Sequence, residues 1–216
     1  MRRKAARKLA AAVKKELAEL SLNQVVFEIT LNRKADPAGL PLSDGYYAFN
    51  RTGVDDVEFM VSTNPGEPLK PLAAIASTGE VSRFTLALKV ALAEADRTPV
   101  LIFDEIDIGI GGRSGGAVGQ KLWRLARHHQ VICVTHLPQI AAYGDSHFRV
   151  QKEPSGDRTV TRLTEVKDSA RLTELAAMVG GKAPGQAALT TAGELKTQAE
   201  GWIASQYRSR EAAVAS

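Results

Sequence analysis

The stretch Val100-Leu101-Ile102-Phe103-Asp104-Glu105-Ile106-Asp107-Ile108-Gly109-Ile110-Gly111-Gly112 decides the fold. Four apolar residues run straight into two carboxylates, a third acid follows, and glycines then strip side chains from the path. A run that is apolar at every position predicts a strand buried on both faces, as in a parallel sheet. In open α/β sheets, ligands sit beyond the carboxyl ends of the strands. Such a strand delivers Asp104 and Glu105 to that edge. One carboxylate there can hold Mg2+, directly or through water, and the next can polarise an attacking water. Taken alone, the pattern is weak, since many strands end in acids because the loop that follows is solvated.

Upstream, Ser77-Thr78-Gly79-Glu80 opens a predicted helix. Ser77 can cap it, and Glu80 stands three residues on, as in a capping box. Phe84, Leu88, Ala91, Leu92 and Ala95 fall on one face, and Arg97-Thr98-Pro99 ends the helix. A helix start offers free N–H groups and a positive dipole end, and a glycine beside it lets a phosphate approach. It is also an ordinary cap. Downstream, Gly115 to Arg127 predicts a second helix, and Val131 to Val134 a second fully apolar strand ending in Thr135-His136. One helix fits between Glu105 and His136, 31 residues apart. The histidine would then stand beside the acids, where it could hydrogen-bond a transferred phosphate or a water. Leu137 to Tyr143 predicts a short helix with Pro138 in its first turn, where proline is tolerated. Helix, strand, helix, strand, helix is α/β wiring.

Around this block the chain is plainer. Residues 2 to 20 read as a helix, with Ala6, Ala10, Val13, Leu17 and Leu20 spaced as a heptad seam. Two heptads fit either a coiled-coil end or a short amphipathic surface helix. No N-cap precedes it, so the sequence reads as starting inside a helix. Val25 to Leu31 and Val57 to Ser62 predict strands, residues 33 to 57 a loop rich in proline and glycine, and Asn64-Pro65-Gly66 a turn. His147 to Gln151 and Thr159 to Val166 predict an antiparallel pair closed by Pro154-Ser155-Gly156-Asp157. Helices around Ser169 to Met178 and Leu189 to Tyr207 complete the chain.

The 216 residues carry a net charge of +4. Arg2, Arg3, Lys4, Arg7, Lys8, Lys14 and Lys15 crowd the first 15 residues without an acid. Removing those seven from the 28 lysines and arginines leaves 21 against 24 acids. The basicity therefore belongs to one terminal segment and does not make the globular part a nucleic-acid binder. Cys133 is the one cysteine, which fits a cytoplasmic protein and a buried apolar thiol. No apolar run is long enough for a spanning helix, and Lys14, Lys15, Glu16 and Glu19 exclude a signal peptide.

Three stretches together carry a resemblance: residues 77–83, residues 103–113 and residues 130–142. The chain resembles the C-terminal part of the ATPase head of the RecN-type DNA repair family, SMC-like relatives of ABC-type ATPases. The likeness covers roughly residues 1 to 181. It implies an α/β fold, the C-terminal lobe of a P-loop NTPase head with parallel core strands. Residues 1–22 would end a coiled-coil arm, residues 23–181 form the half-head, and residues 182–216 form a helical tail. By the same resemblance Asp104 is the Walker B acid that holds Mg2+ through water, and Glu105 is the general base. His136 is the switch histidine. Ser77, Thr78, Gly79 and Glu80 form the signature loop, which contacts the γ-phosphate of ATP held by a second head. Asp107, Gly109 and Gly111 lie in the D-loop, which usually crosses the interface between heads. Thr78 stands where a glycine is usual, and the usual D-loop aspartate position is Gly111.

No Gly-x-x-x-x-Gly-Lys-Ser/Thr occurs; Gly180-Gly181-Lys182-Ala183 lacks the first glycine and the hydroxyl. Without that loop nothing cradles the β- and γ-phosphates. The expectation is half a head, inactive alone, whose partners are the N-terminal Walker A half, a second copy of the head and DNA. Membranes are not expected, and the resemblance implies a bacterial, nucleoid-associated protein. Two other classes remain: a metal-dependent nuclease built on Asp104, Glu105, Asp107 and His136, and a DNA-binding module built on Arg2 to Lys15.

Overall fold

A computed structural model describes residues 1–64, 66–75, 78–110, 112–155 and 158–214. The chain divides into two compact units, Met1–Asp96 and Arg97–Ser216.

In the first unit, helix α1 (Arg2–Glu19) packs on strand β1 (Val26–Asn32) and helix α2 (Thr78–Leu92). The C-terminal half of the heptad seam does this work: Val13, Leu17 and Leu20 are buried, whereas Ala6 and Ala10 are half-buried. Ser21 ends the helix in the left-handed region at φ 62°. The Leu22 amide donates to the Leu17 carbonyl at 3.0 Å and the Ser21 amide to Ala18 at 3.2 Å, the paired bonds of a Schellman turn. β1 pairs antiparallel with β4 (Asp56–Ser62), which pairs with the short β5 (Lys70–Pro71). Phe27 on β1 lies edge-on to Phe59 at 5.6 Å and to Phe84 of α2 at 5.0 Å, joining sheet to helix.

Residues 33–57 are not a plain loop. β2 (Ala35–Leu42) and β3 (Gly45–Tyr47) form a hairpin around Ser43-Asp44. Pro37 and Pro41 are tolerated because this is a two-stranded ribbon with open edges. Gly39 sits where a bulge lets Tyr47 cross; a Cβ there would lie 2.1 Å from the Tyr47 carbonyl oxygen. Arg33 anchors the ribbon, donating to Asp55 at 2.9 Å and Asp44 at 3.3 Å with its guanidinium over the Tyr47 ring. Arg2 reaches the same Asp55 at 3.1 Å and the Thr52 carbonyl. These two cations hold the Asp55 carboxyl below its usual range, the Arg33 hydrogen bond first.

In the second unit, β6 (Val100–Phe103) and β7 (Gln130–Cys133) pair parallel, with helix α3 (Gly112–Leu125) between them in sequence. Leu101 and Phe103 are buried, as are Val118, Leu122 and Leu125 of α3. The expectation of burial on both faces is corrected here. Val100, Ile102, Ile132 and Val134 are exposed, Ile102 at 69%. Only one face of this two-stranded sheet is covered within the described residues.

α4 (Pro138–Ala141) docks on α3 through glycines. A Cβ at Gly119 would meet the Tyr143 ring at 2.4 Å, and one at Gly115 would meet the Gln139 Cβ at 2.9 Å. Arg171 of α5 (Asp168–Gly180) donates to the carbonyls of Ala141, Ala142 and Gly144, closing the end of α4. The last helix, α6 (Gln186–Val214), joins the same core: Ala192 and Ala199 are fully buried. Trp123 of α3 lies edge-on to Trp202 at 5.5 Å and Tyr207 at 5.7 Å, and Arg127 stacks over Trp123 and Tyr207. β8 (His147–Ser155) and β9 (Arg158–Val166) form the expected antiparallel pair, largely exposed; residues 156 and 157 of its turn lie outside the described residues. Among the described residues no helix is long and apolar enough to cross a membrane.

Candidate active site

The parallel register Phe103↔Cys133 brings the ends of β6 and β7 side by side, and the Val134 amide donates to the Phe103 carbonyl at 2.9 Å. Everything that follows Phe103 therefore emerges beside everything that follows Cys133. Asp104 is exposed at the first of these ends, and its Oδ1 accepts the Glu105 amide at 2.9 Å. Glu105 is also exposed and holds φ at 57°, a conformation that costs a non-glycine residue energy and clusters at functional sites. That bend turns the chain into a short loop in which the Ile108 amide donates to the Glu105 carbonyl and the Ile110 amide to the Asp107 carbonyl. Ile106 is fully buried and pins the loop.

Asp107 goes inward rather than outward. Its Oδ2 accepts from the Thr135 hydroxyl at 2.5 Å and the His136 amide at 2.8 Å, and lies 3.0 Å from His136 Nδ1. The Thr135 hydroxyl in turn accepts from the Leu137 amide at 3.0 Å. The residue placed with the D-loop is thus committed to the loop after β7 in its own chain. Gly109 is exposed in the left-handed region at φ 73°, and Gly111 lies outside the described residues.

Cys133 reports on the field at this edge. Burial, and then the negative charges of Asp107 and Asp104, push its thiol from 9.0 up to about 12. The expected result is an inert thiol: alkylation at pH 8 should run roughly a thousandfold slower than for a free cysteine, following the loss of thiolate. Because the folded value is the raised one, folding is undisturbed by this group below pH 9 and weakened by it as pH climbs from there toward 12. Labelling at the free-cysteine rate in native buffer would contradict this placement.

The signature-loop residues belong to the first unit. Ser77 lies outside the described residues, as do the side chains of Thr78 and Glu80. α2 does begin at Thr78. Gly79 is buried, so its own backbone is not an open surface for an incoming phosphate. The residues in contact are therefore Asp107, His136 and Thr135, the last a member that sequence reading missed, and Asp104 and Glu105 follow the neighbouring strand end. The signal was present: two adjacent parallel strands of equal length, one followed four residues on by an acid and the other two residues on by Thr-His.

No family model matches the chain. The DNA repair protein RecN of Halalkalibacterium halodurans is 38% identical over 181 residues, 84% of this chain and 31% of that protein. RecN of Treponema pallidum is 50% identical over 143 residues, 66% of this chain and 25% of that protein. The chain is a partial homologue of RecN. It spans about a third, or less, of the length of these relatives. Among solved structures, the Smc head domain with a coiled coil and joint from Pyrococcus yayanosii superposes with a TM-score of 0.53 at 18% identity. That match covers 81% of this chain and 29% of the other, and it shows the fold. This RecN homologue therefore has a mixed α/β fold of the SMC-head kind, with a parallel strand pair at the centre of its candidate site.

Proposed function

We propose that this chain is the C-terminal part of an SMC-like ATPase head acting in DNA double-strand break repair and recombination. The observation that supports it most is that Asp104 and Glu105 follow one, and His136 the other, of two adjacent parallel strand ends, in a partial RecN homologue. Residues 1–22 would end a coiled-coil arm, residues 23–181 form the half-head, and residues 182–216 the tail. In this reading Asp104 contributes to holding Mg2+, Glu105 accepts a proton from the attacking water, and His136 bonds that water or the phosphate. Of the signature residues Ser77, Thr78, Gly79 and Glu80, Ser77 would be the side chain that contacts ATP held by a second copy, since Gly79 is buried. Gly109 and Gly111 would lie near the interface between copies.

The residues present fit Mg-ATP in part. Asp104 is an exposed carboxylate at a strand end, where Mg2+ takes one or two protein ligands and the rest from phosphates and water. Among the described residues no group of three ligating side chains occurs, so the chain offers a ligand rather than a cage. When bound, the ion neutralises charge that develops on the phosphates. The nuclease alternative is weaker, because Asp107, which it needs as a ligand, already accepts from Thr135 and His136.

The absence of a phosphate-cradling loop in the sequence makes the isolated chain inert. The test is ATP turnover by the purified 216 residues beside turnover by a head that adds the N-terminal RecN segment. The expected result is activity only in the second. Turnover by the chain alone, lost on Glu105→Gln, would overturn the half-head reading.

A specific observation supports DNA as a partner. Lys4, Lys8 and Lys15 lie on α1 opposite the buried Val13 and Leu17, and Arg3, Arg7 and Lys14 form a row beside them. All six are exposed, and none has an ion-pair partner among the described residues. Two parallel cationic rows suit a phosphate backbone. Replacing Arg3, Arg7 and Lys14 by glutamine should weaken duplex binding at every sequence and flatten the log–log salt slope by about 3. A slope unchanged by the triple replacement would remove α1 from the DNA surface.

A further inference from the structure

We infer that Asp107 is the positioning residue of His136, holding the imidazole proton on Nδ1 and presenting Nε2 to the reacting groups; this rests on the ATPase reading above. A carboxylate that is only 4% exposed must be hydrogen-bonded to be tolerated. Among the described residues Asp107 meets that need at residues 135 and 136, through the Thr135 hydroxyl and the His136 amide, and the same Oδ2 lies 3.0 Å from His136 Nδ1. The His136 ring, by contrast, is 74% exposed, and among the described residues no other side chain is recorded against it. The recorded contact of the ring is the 3.0 Å approach of Nδ1 to Asp107 Oδ2, and that approach sets the direction the ring faces.

An ionised carboxylate only accepts hydrogen bonds, so the imidazole nitrogen facing it carries the proton. The neutral ring then has Nδ1–H toward Asp107 and a lone pair on Nε2, across the ring and toward solvent. A water held at the ends of β6 and β7 meets an acceptor there. The same arrangement serves metal-bound histidines and hydrolase triads, where a carboxylate behind the ring fixes tautomer and direction. Thr135 completes the device. Its hydroxyl donates to Asp107 and accepts from Leu137, so the turn that bears His136 is built on the same carboxylate oxygen.

The first test needs no turnover. Nitrogen-15 NMR of the 216-residue chain at neutral pH should show His136 as the Nδ1–H tautomer, and Asp107→Ala should release it to a mixture. Thr135→Val, which removes the hydroxyl and leaves the pair, should keep the Nδ1–H form. A wild-type ring protonated on Nε2 overturns the inference, whatever the variants do. The second test uses the completed head. Asp107→Asn should lower kcat for ATP about 10- to 100-fold with KM little changed, and Asp107→Glu should recover part of the loss. A purely structural role would instead leave the kcat of the folded fraction unaltered, and that result also overturns the inference. If no head hydrolyses ATP, the ATPase reading falls, and the tautomer measurement alone decides what Asp107 does.

Discussion

Replacing Glu105 by glutamine in the completed head should cut ATP turnover by roughly 10²- to 10⁴-fold, the range a positioned general base supplies. Glutamine keeps the shape and loses the ability to take a proton. Nucleotide binding should survive, because Asp104 and the backbone bend at φ 57° are untouched. The ATP-joined pair of heads should then persist longer, since hydrolysis is what would release it. Turnover and dimer lifetime should therefore move in opposite directions. Turnover within about threefold of wild type would mean that Glu105 is not the base.

The second large effect concerns stability rather than chemistry. Trp123→Ala should cost the second unit about 3–5 kcal/mol, the usual loss for a buried tryptophan. Trp123 holds α6 to α3 through Trp202, Tyr207 and Arg127, and its ring is almost wholly covered. Both tryptophans lie in this unit, so the fluorescence of Trp202 follows its unfolding without interference from the first. Tyr207→Phe is the comparison. It removes only the 2.8 Å bond from Arg127 and should cost about 1 kcal/mol. A Trp123→Ala loss no larger than that would show that α6 is held elsewhere.

What the sequence made legible follows from which forces are local. The apolar runs of β6 and β7, and the helix between them, are written in periodicity and in their breakers, so their bounds agree with the structure to within a few residues. The adjacency of the strand ends that precede Asp104 and His136 followed from strand pattern and spacing. The β2–β3 ribbon was not legible by the same signals, since Pro37, Gly39 and Pro41 speak against a strand wherever both edges must pair. Asp44-Gly45 was the available hint of a tight hairpin. The partners of Asp107 were not legible because they are non-local. An acid in a glycine-rich loop reads as exposed until the neighbouring strand's Thr135 and His136 are seen beneath it. The uncovered residues of β6 and β7 show the reverse limit: composition says what a face prefers, not whether anything lies on it.

That uncovered face has a consequence for assembly. Ile102, Ile132 and Val134 stand in water on a sheet with both outer edges unpaired among the described residues. A strand added at either edge would satisfy backbone groups, and a layer laid on the face would expel water from the same patch. A segment that supplies both gains them together, so its docking is all-or-none rather than stepwise. Pairing at the edge and covering of the face would then be one thermodynamic event, and a partial docker would be outcompeted by the whole.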